Sequence, residues 1–375
     1  MNREAFSVDA KDISKGIVEI SRKARFQGVT PDEWRSRLAA FLAAQPDVSA
    51  VTSVDDVRPV AEAAGGSNGT MLFRARYQSD EGHQDRQLVL RFLPEKGLFH
   101  HYDVTEQFNL QRALGETAVP VPKQLWLDSE GSYLGRPGYV MERVAGVSTP
   151  MAWMTSGILY DAPPEGRRAM SEGYVRALAD IHELDWQSLG LDWMRGRARG
   201  ARPVERETNW YWDALLWSGH TEYIRQLAPV RQWLIENEPE GMQEVLCHGD
   251  ANFGNYLYVG TEVSAVLDWE MSFLGPRECD LAYLRIGDSI LLDGVPWPEG
   301  VLTYDEMRAE YERASGYTLQ HMDYFELFAG YRMAVINVLA MKHFPPEVLS
   351  AYEPVLRRGP ELCRAQARAL GVTLE

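Results

Sequence analysis

Three oxygen-bearing side chains stand where their types and spacing could serve one reaction. Asp250 lies in a loop after an apolar run, within Leu246-Cys247-His248-Gly249-Asp250-Ala251-Asn252-Phe253-Gly254-Asn255. Asn255 comes five residues after Asp250, and Asp268 closes a second extended stretch, Val263 to Leu267. Between them Asn255 to Val259, a turn at Gly260-Thr261, and Val263 onward read as a hairpin. A hairpin returns the chain beside its start, so all three side chains can converge. A few hard oxygens suit Mg²⁺, which keeps several waters and takes the rest of its shell from a nucleotide's phosphates. Kinases use the same logic: an Asp base, an Asn a few residues later and a second Asp on metal.

His248-Gly249-Asp250 with Asn255 and Asp268-Trp269-Glu270 resembles the signature of the aminoglycoside phosphotransferase-like family, which includes choline kinase-like relatives of the protein kinases. The resemblance spans roughly residues 55 to 345. It implies an α+β, protein-kinase-like fold of two lobes: a five-stranded antiparallel sheet with a helix, then a larger, mainly helical lobe. It implies Asp250 as the base toward a substrate hydroxyl, Asn255 and Asp268 on Mg²⁺, and His248 as a brace for the loop. Glu270 and Asp280 are read either as contacts to the acceptor or metal shell, or as structural supports behind it.

The elements needed to position these groups are legible upstream. Val54 to Glu62, Thr70 to Tyr77 and Gln87 to Phe92 read as strands, parted by a glycine-rich turn and by the polar segment from Gln78 to Asp85. A helix is expected from Val104 to Leu114, then extended stretches at Gln124 to Asp128 and Gly138 to Val144. The turn Gly65-Gly66-Ser67-Asn68-Gly69-Thr70 lets backbone N–H groups approach phosphates. Arg91, in Leu88-Val89-Leu90-Arg91, stands where the kinase pattern has a phosphate-binding lysine, and arginine can clamp phosphate on two edges. Its expected acidic partner on the next helix is Glu106, with Gln107 as the rival. Tyr139 to Val144 resembles the connector between lobes, with Glu142 and Val144 at the base edge and Met141 behind it.

The remaining organisation follows. Thr30-Pro31-Asp32-Glu33 opens a helix whose Trp34, Leu38, Phe41 and Leu42 share a face. Residues 1–52 are read as a helical extension, 53–144 as the nucleotide-binding lobe with its hinge at 141–146, and 147–375 as the catalytic and acceptor lobe. Pro120-Val121-Pro122 and Gly135-Arg136-Pro137 read as rigid turns, and His182 as a structural histidine. Trp210 and Trp212, with the segment from Ile286 to Trp297, read either as acceptor-pocket lining or as helix packing.

Composition bounds the partners. The chain has 375 residues and 38 Lys+Arg against 54 Asp+Glu, for a net charge of −16, which argues against nucleic acid. Cys247, Cys279 and Cys363 cannot build a disulfide framework, and no apolar run approaches a membrane span. The sequence therefore reads as a reduced, soluble, cytoplasmic protein, a monomer or homodimer. The expected reaction uses Mg²⁺ and ATP or GTP to phosphorylate a hydroxyl of a small molecule. The wording around Gly66-Ser67-Asn68 and Val119 to Pro122 looks most like the branch related to kinase domains fused with acyl-CoA dehydrogenases, which favours a hydroxylated acyl or other metabolic acceptor. Two rivals remain: a non-catalytic nucleotide-binding module of pseudokinase type, and a serine hydrolase through Gly65-x-Ser67-x-Gly69. The hydrolase elbow needs a helix next, and Thr70 to Tyr77 has strand character.

Overall fold

The computed structural model describes residues 29–60, 68–95, 97–343 and 346–374. Helix α1 (Pro31–Ala43) starts on a reciprocal capping box, with Thr30 accepting from the Glu33 amide while the Glu33 carboxylate accepts from Thr30. Strands β1 (Val48–Pro59), β2 (Gly69–Ser79), β3 (Gly82–Phe92), β4 (Gln124–Asp128) and β5 (Gly138–Glu142) form one antiparallel sheet in the order β1-β2-β3-β5-β4. The polar stretch expected to separate β2 from β3 is mostly strand. Gln78 pairs with His83 and Ser79 with Gly82, so the turn is only Asp80-Glu81, and the exposed face of a hairpin edge accounts for the polarity. Strand β1 begins at Val48, inside the stretch assigned to the extension. The expected end of β1 at Glu62, like Gly65, Gly66 and Ser67, lies outside the described residues.

The sheet is buried on both faces. Trp34, Leu38 and Phe41 of α1 pack with Phe73, Leu90 and Phe92, with the Trp34 and Phe92 ring centroids 4.7 Å apart. Helix α2 (Val104–Leu114) covers the other face through Phe108, against Val89, Tyr139 and Met141.

After β5 the chain is largely helical: α3 (Pro164–His182), α4 (Pro203–Ser218), α5 (Thr221–Glu236), α6 (Glu278–Leu291), α7 (Tyr304–Ser315), α8 (Met322–His343), α9 (Pro346–Leu356) and α10 (Arg358–Ala369). Embedded among them are the short pair β6 (Val245–Cys247) with β9 (Phe273–Gly275) and the hairpin β7 (Tyr256–Val259) with β8 (Glu262–Val266). The connector is stitched to that hairpin. Val147 and Tyr258 exchange backbone bonds at 3.0 and 2.9 Å, and the Ser264 hydroxyl donates to the Ala145 carbonyl. Gly146 (φ +139°) permits this approach, since a Cβ there would lie 2.6 Å from Ser264 Oγ. Among the described residues, no helix is long and apolar enough to cross a membrane.

One buried acid in this lobe sets a pH dependence. Asp288 accepts from the Trp153 indole at 3.0 Å and the Tyr304 hydroxyl at 2.9 Å, yet burial pushes its carboxyl up to about 7. An acid raised on folding holds its proton more tightly in the native state. Its contribution is therefore full below the ordinary carboxylate range and is lost as pH rises toward 7, by up to roughly 4 kcal/mol. Asp288→Asn is expected to remove that slope. Its melting temperature should gain several degrees on the parent between pH 4 and pH 8, read by thermal melts at both.

Candidate functional site

The loop that carries Asp250 follows β6 and is held from below. Gly249 adopts φ +82°, and a Cβ there would sit 1.8 Å from the Met271 carbonyl oxygen, so only glycine fits. Asp280, in the first turn of α6, accepts from the His248 amide at 2.7 Å, the Gly249 amide at 2.9 Å and His182 Nε2 at 3.1 Å. Burial alone would raise this carboxyl, but the His182 bond, the two imidazoles and the Gly249 amide hold it below its ordinary value. His182 is structural, bridging Asp280 and the Tyr311 hydroxyl. His248 braces the loop: Nδ1 accepts from the Asp250 amide at 3.2 Å, and Nε2 donates to the Leu267 carbonyl at 2.8 Å, just before Asp268.

Asp250 is thereby fixed beside both partners expected from the sequence. Its Oδ2 accepts from Asn255 Nδ2 at 2.7 Å and its Oδ1 from Asn252 Nδ2 at 2.9 Å. Burial, and then the nearby charge of Asp268, raise its carboxyl above the usual range. Asn255 Nδ2 also donates to the Asp250 carbonyl, so its nitrogen serves the loop and its carboxamide oxygen is left to accept a hydrogen bond or ligate a cation. Asp268 has φ +65° and ψ +54°, an uncommon left-handed conformation for a residue with a side chain. Its carboxylate meets Arg91 Nη2 at 2.6 Å. Hard oxygens from Asp268 and Asn255 make a donor set that fits Mg²⁺.

A cleft of about 440 Å³ opens between the lobes, within the size range of small-molecule sites. Leu72, Val89, Met141 and Val144 line it from the smaller lobe and Leu257 and Leu267 from the larger. Asn68, Thr70, Arg91, Asn255 and Asp268 line it too, with Arg91 and Asp268 in direct contact. Glu142 lines the cleft while its carboxylate pairs with Arg86 at 2.8 Å. Strand β2 starts at Gly69, so no helix follows the Gly-x-Ser-x-Gly match.

One expectation needs correction, and for two open readings the contacts favour packing. Glu106 does not face Arg91; it pairs with Arg197 at 3.2 Å, across the lobe boundary. Gln107 is no substitute, because it accepts from Asn68 at 3.1 Å. Trp210 and Trp212 do not line the cleft. Trp210 is buried against Phe99 and Tyr211, with centroids at 5.1 and 4.9 Å, and Trp212 is half-buried beneath Arg231. The segment from Ile286 to Trp297 is also packing, with the Trp297 ring edge-on to Trp153.

Two supports escaped the sequence reading. Asn252 closes the second edge of Asp250. Arg332 of α8 is fully buried, donates to the Gly249 carbonyl at 2.7 Å and lies among the rings of Tyr211, Phe273 and Tyr283. A lone cation in the otherwise apolar run from Leu327 to Ala334 was the available signal.

A family model described as "Phosphotransferase enzyme family" matches residues 69–325. The probable acyl-CoA dehydrogenase IBR3 of Arabidopsis thaliana is 30% identical over 295 residues, 72% of this chain and 34% of that protein. The chain thus spans about a third of that relative's length. A Ralstonia eutropha structure named as an aminoglycoside phosphotransferase superposes with TM-score 0.65 and 22% identity, covering 89% of this chain and 98% of its own. A thermostable variant of aminoglycoside phosphotransferase APH(4)-Ia, solved with AMP-PNP and hygromycin B, gives 0.54 and 15% over the same shares. These likenesses establish the protein-kinase-like fold.

Proposed function

The chain belongs to the phosphotransferase enzyme family, and we propose that within it this protein moves the γ-phosphate of ATP or GTP to a hydroxyl of a small molecule. One observation carries the reading: Asn255 and Asp268 line a cleft that also presents Leu72, Val89, Met141, Val144, Leu257 and Leu267 to a base, and Asp250 is bonded to Asn255 just outside it. Asp268 and Asn255 would hold Mg²⁺, which when bound neutralises charge on the transferring phosphate. Asp250 orients the acceptor hydroxyl and takes its proton late, because phosphoryl transfer is mostly positioning and charge neutralisation. Met141, Glu142 and Val144 flank the base. Arg91, Thr70 and the glycine-rich turn grip the phosphates.

For the acceptor we favour a hydroxylated acyl compound over an aminoglycoside. The relative named for acyl-CoA dehydrogenation is 30% identical, against 22% and 15% for the two aminoglycoside phosphotransferase structures above. Nucleotide consumption against a panel of hydroxylated acyl compounds, simple alcohols and aminoglycosides tests this. Turnover with aminoglycosides alone refutes the acyl assignment, and turnover with nothing that carries a hydroxyl refutes the reaction class.

The metal assignment has its own test. Asp268→Ala should weaken binding of Mg·AMP-PNP at least about tenfold, while binding in EDTA changes far less. Equal loss in both conditions would remove Asp268 from the metal.

A further inference from the structure

Among the described residues, Arg91 has two acidic neighbours, and neither belongs to helix α2. Its Nη2 lies 2.6 Å from Asp268 and 3.5 Å from Glu270. Glu106, the carboxylate expected on α2, is committed to Arg197. Glu270 reaches further: it also accepts from Asn68 Nδ2 at 2.7 Å, and the same nitrogen donates to Gln107 Oε1 of α2 at 3.1 Å. Arg91 and Glu270 side chains are 14% and 6% exposed, so solvent screens this pair little.

We infer that Glu270 is the positioning residue for Arg91, tying the arginine, the end of the glycine-rich turn and α2 to the segment that carries Asp268. The inference rests on the phosphotransferase reading above. It accounts for arginine at position 91. A carboxylate needed by the metal cannot stay on Arg91, so a second acid must hold the side chain when Asp268 turns away. A guanidinium can keep one edge on Glu270 and offer another to phosphate, whereas an ammonium is a compact point charge without such a fork. It also accounts for Glu106 of α2 being paired elsewhere, with Arg197, because the grip on the nucleotide is set from the larger lobe. Asn68, at the end of the glycine-rich turn, shares Glu270 with Arg91.

Calorimetric titration of the full chain with ADP and with AMP-PNP, each in Mg²⁺ and in EDTA, tests the assignment. Glu270→Gln should weaken binding about tenfold in both conditions, with a nucleotide-free melting temperature close to the parent's. Glu106→Gln should cost much less. The double variant Arg91→Gln/Glu270→Gln should bind no worse than Arg91→Gln alone, the mark of two residues acting as one. If Glu270→Gln folds poorly, Glu270→Asp is read by the same criteria, since it keeps the charge and shortens the arm. A loss confined to Mg²⁺ makes Glu270 a metal ligand and overturns the inference. So does an equal loss from Glu106→Gln, or additive losses in the double variant. A parent chain that binds neither nucleotide overturns the phosphotransferase reading as well; a parent that binds beside an unaffected Glu270→Gln overturns this inference alone.

Discussion

Asp250→Ala is expected to lower phosphoryl transfer by about 10²–10⁴-fold while leaving affinity for Mg·AMP-PNP nearly unchanged. The asymmetry follows from what the carboxylate touches. Its oxygens accept from Asn255 and Asn252 of its own loop and from the Tyr283 hydroxyl of α6, and it does not border the cleft that would receive the nucleotide. Its task falls in the transition state, where it aligns an acceptor hydroxyl, so its loss appears in turnover and not in nucleotide binding. Truncation also strands two amide donors, at a cost of about 1–3 kcal/mol each where they stay buried. Asp250→Asn controls for this because it keeps the volume while removing the base. Both variants should fail alike in a steady-state assay with the acceptor found by the panel, and calorimetry should show near-parental nucleotide binding in both. Near-normal transfer by either one would end the assignment of Asp250 as base.

The parts legible in the sequence share a physical character: they are fixed by local spacing. Helix α2 and strand β4 fall where periodicity puts them, and the hairpin of β7 and β8 follows from its turn residues. The Asp250, Asn255 and Asp268 constellation is close in sequence, so a hairpin suffices to assemble it. What the sequence hid depends on contacts between distant segments. Glu106 sits in the expected first turn of α2, but Arg197 approaches from 91 residues away and takes its charge. Nothing local distinguishes Glu270 from Glu106 as a partner for Arg91, because that choice is made by how the lobes meet. Trp210 stayed open between two readings for the same reason. An aromatic cluster in a helix looks alike whether it faces a ligand or Phe99, and only the fold brings Phe99 there. Arg332 reaches Gly249 across 83 positions, which no spacing argument can see.

Asp280→Ala should be among the most damaging single changes, although Asp280 touches neither cleft nor metal donor. The side chain is fully buried at the start of α6, where the helix dipole favours an anion, and it accepts from His248 N, Gly249 N and His182 Nε2. Removing it leaves three buried donors without their acceptor. Such charge-assisted bonds are worth about 1.5–3 kcal/mol each, and breaking a buried charged cluster costs roughly 3–5 kcal/mol. That is a large fraction of a typical domain's stability. Urea unfolding should therefore show a midpoint well below the parent's. Because the folded-state carboxyl is held below its ordinary value, the stabilisation is present above that value and fades as pH falls through it, so parent and variant should converge in acid. Asp280→Asn should fall between the two, since its amide presents a donor to at least one of the three donors it must satisfy. Activity should fall further than stability explains. Even at low temperature, where the variant stays folded, the His248 and Gly249 amides are no longer pinned, and the backbone that aims Asp250 is free to shift. An Asp280→Ala chain that unfolds and turns over like the parent would show that the loop is held by Arg332 and the Gly249 packing alone.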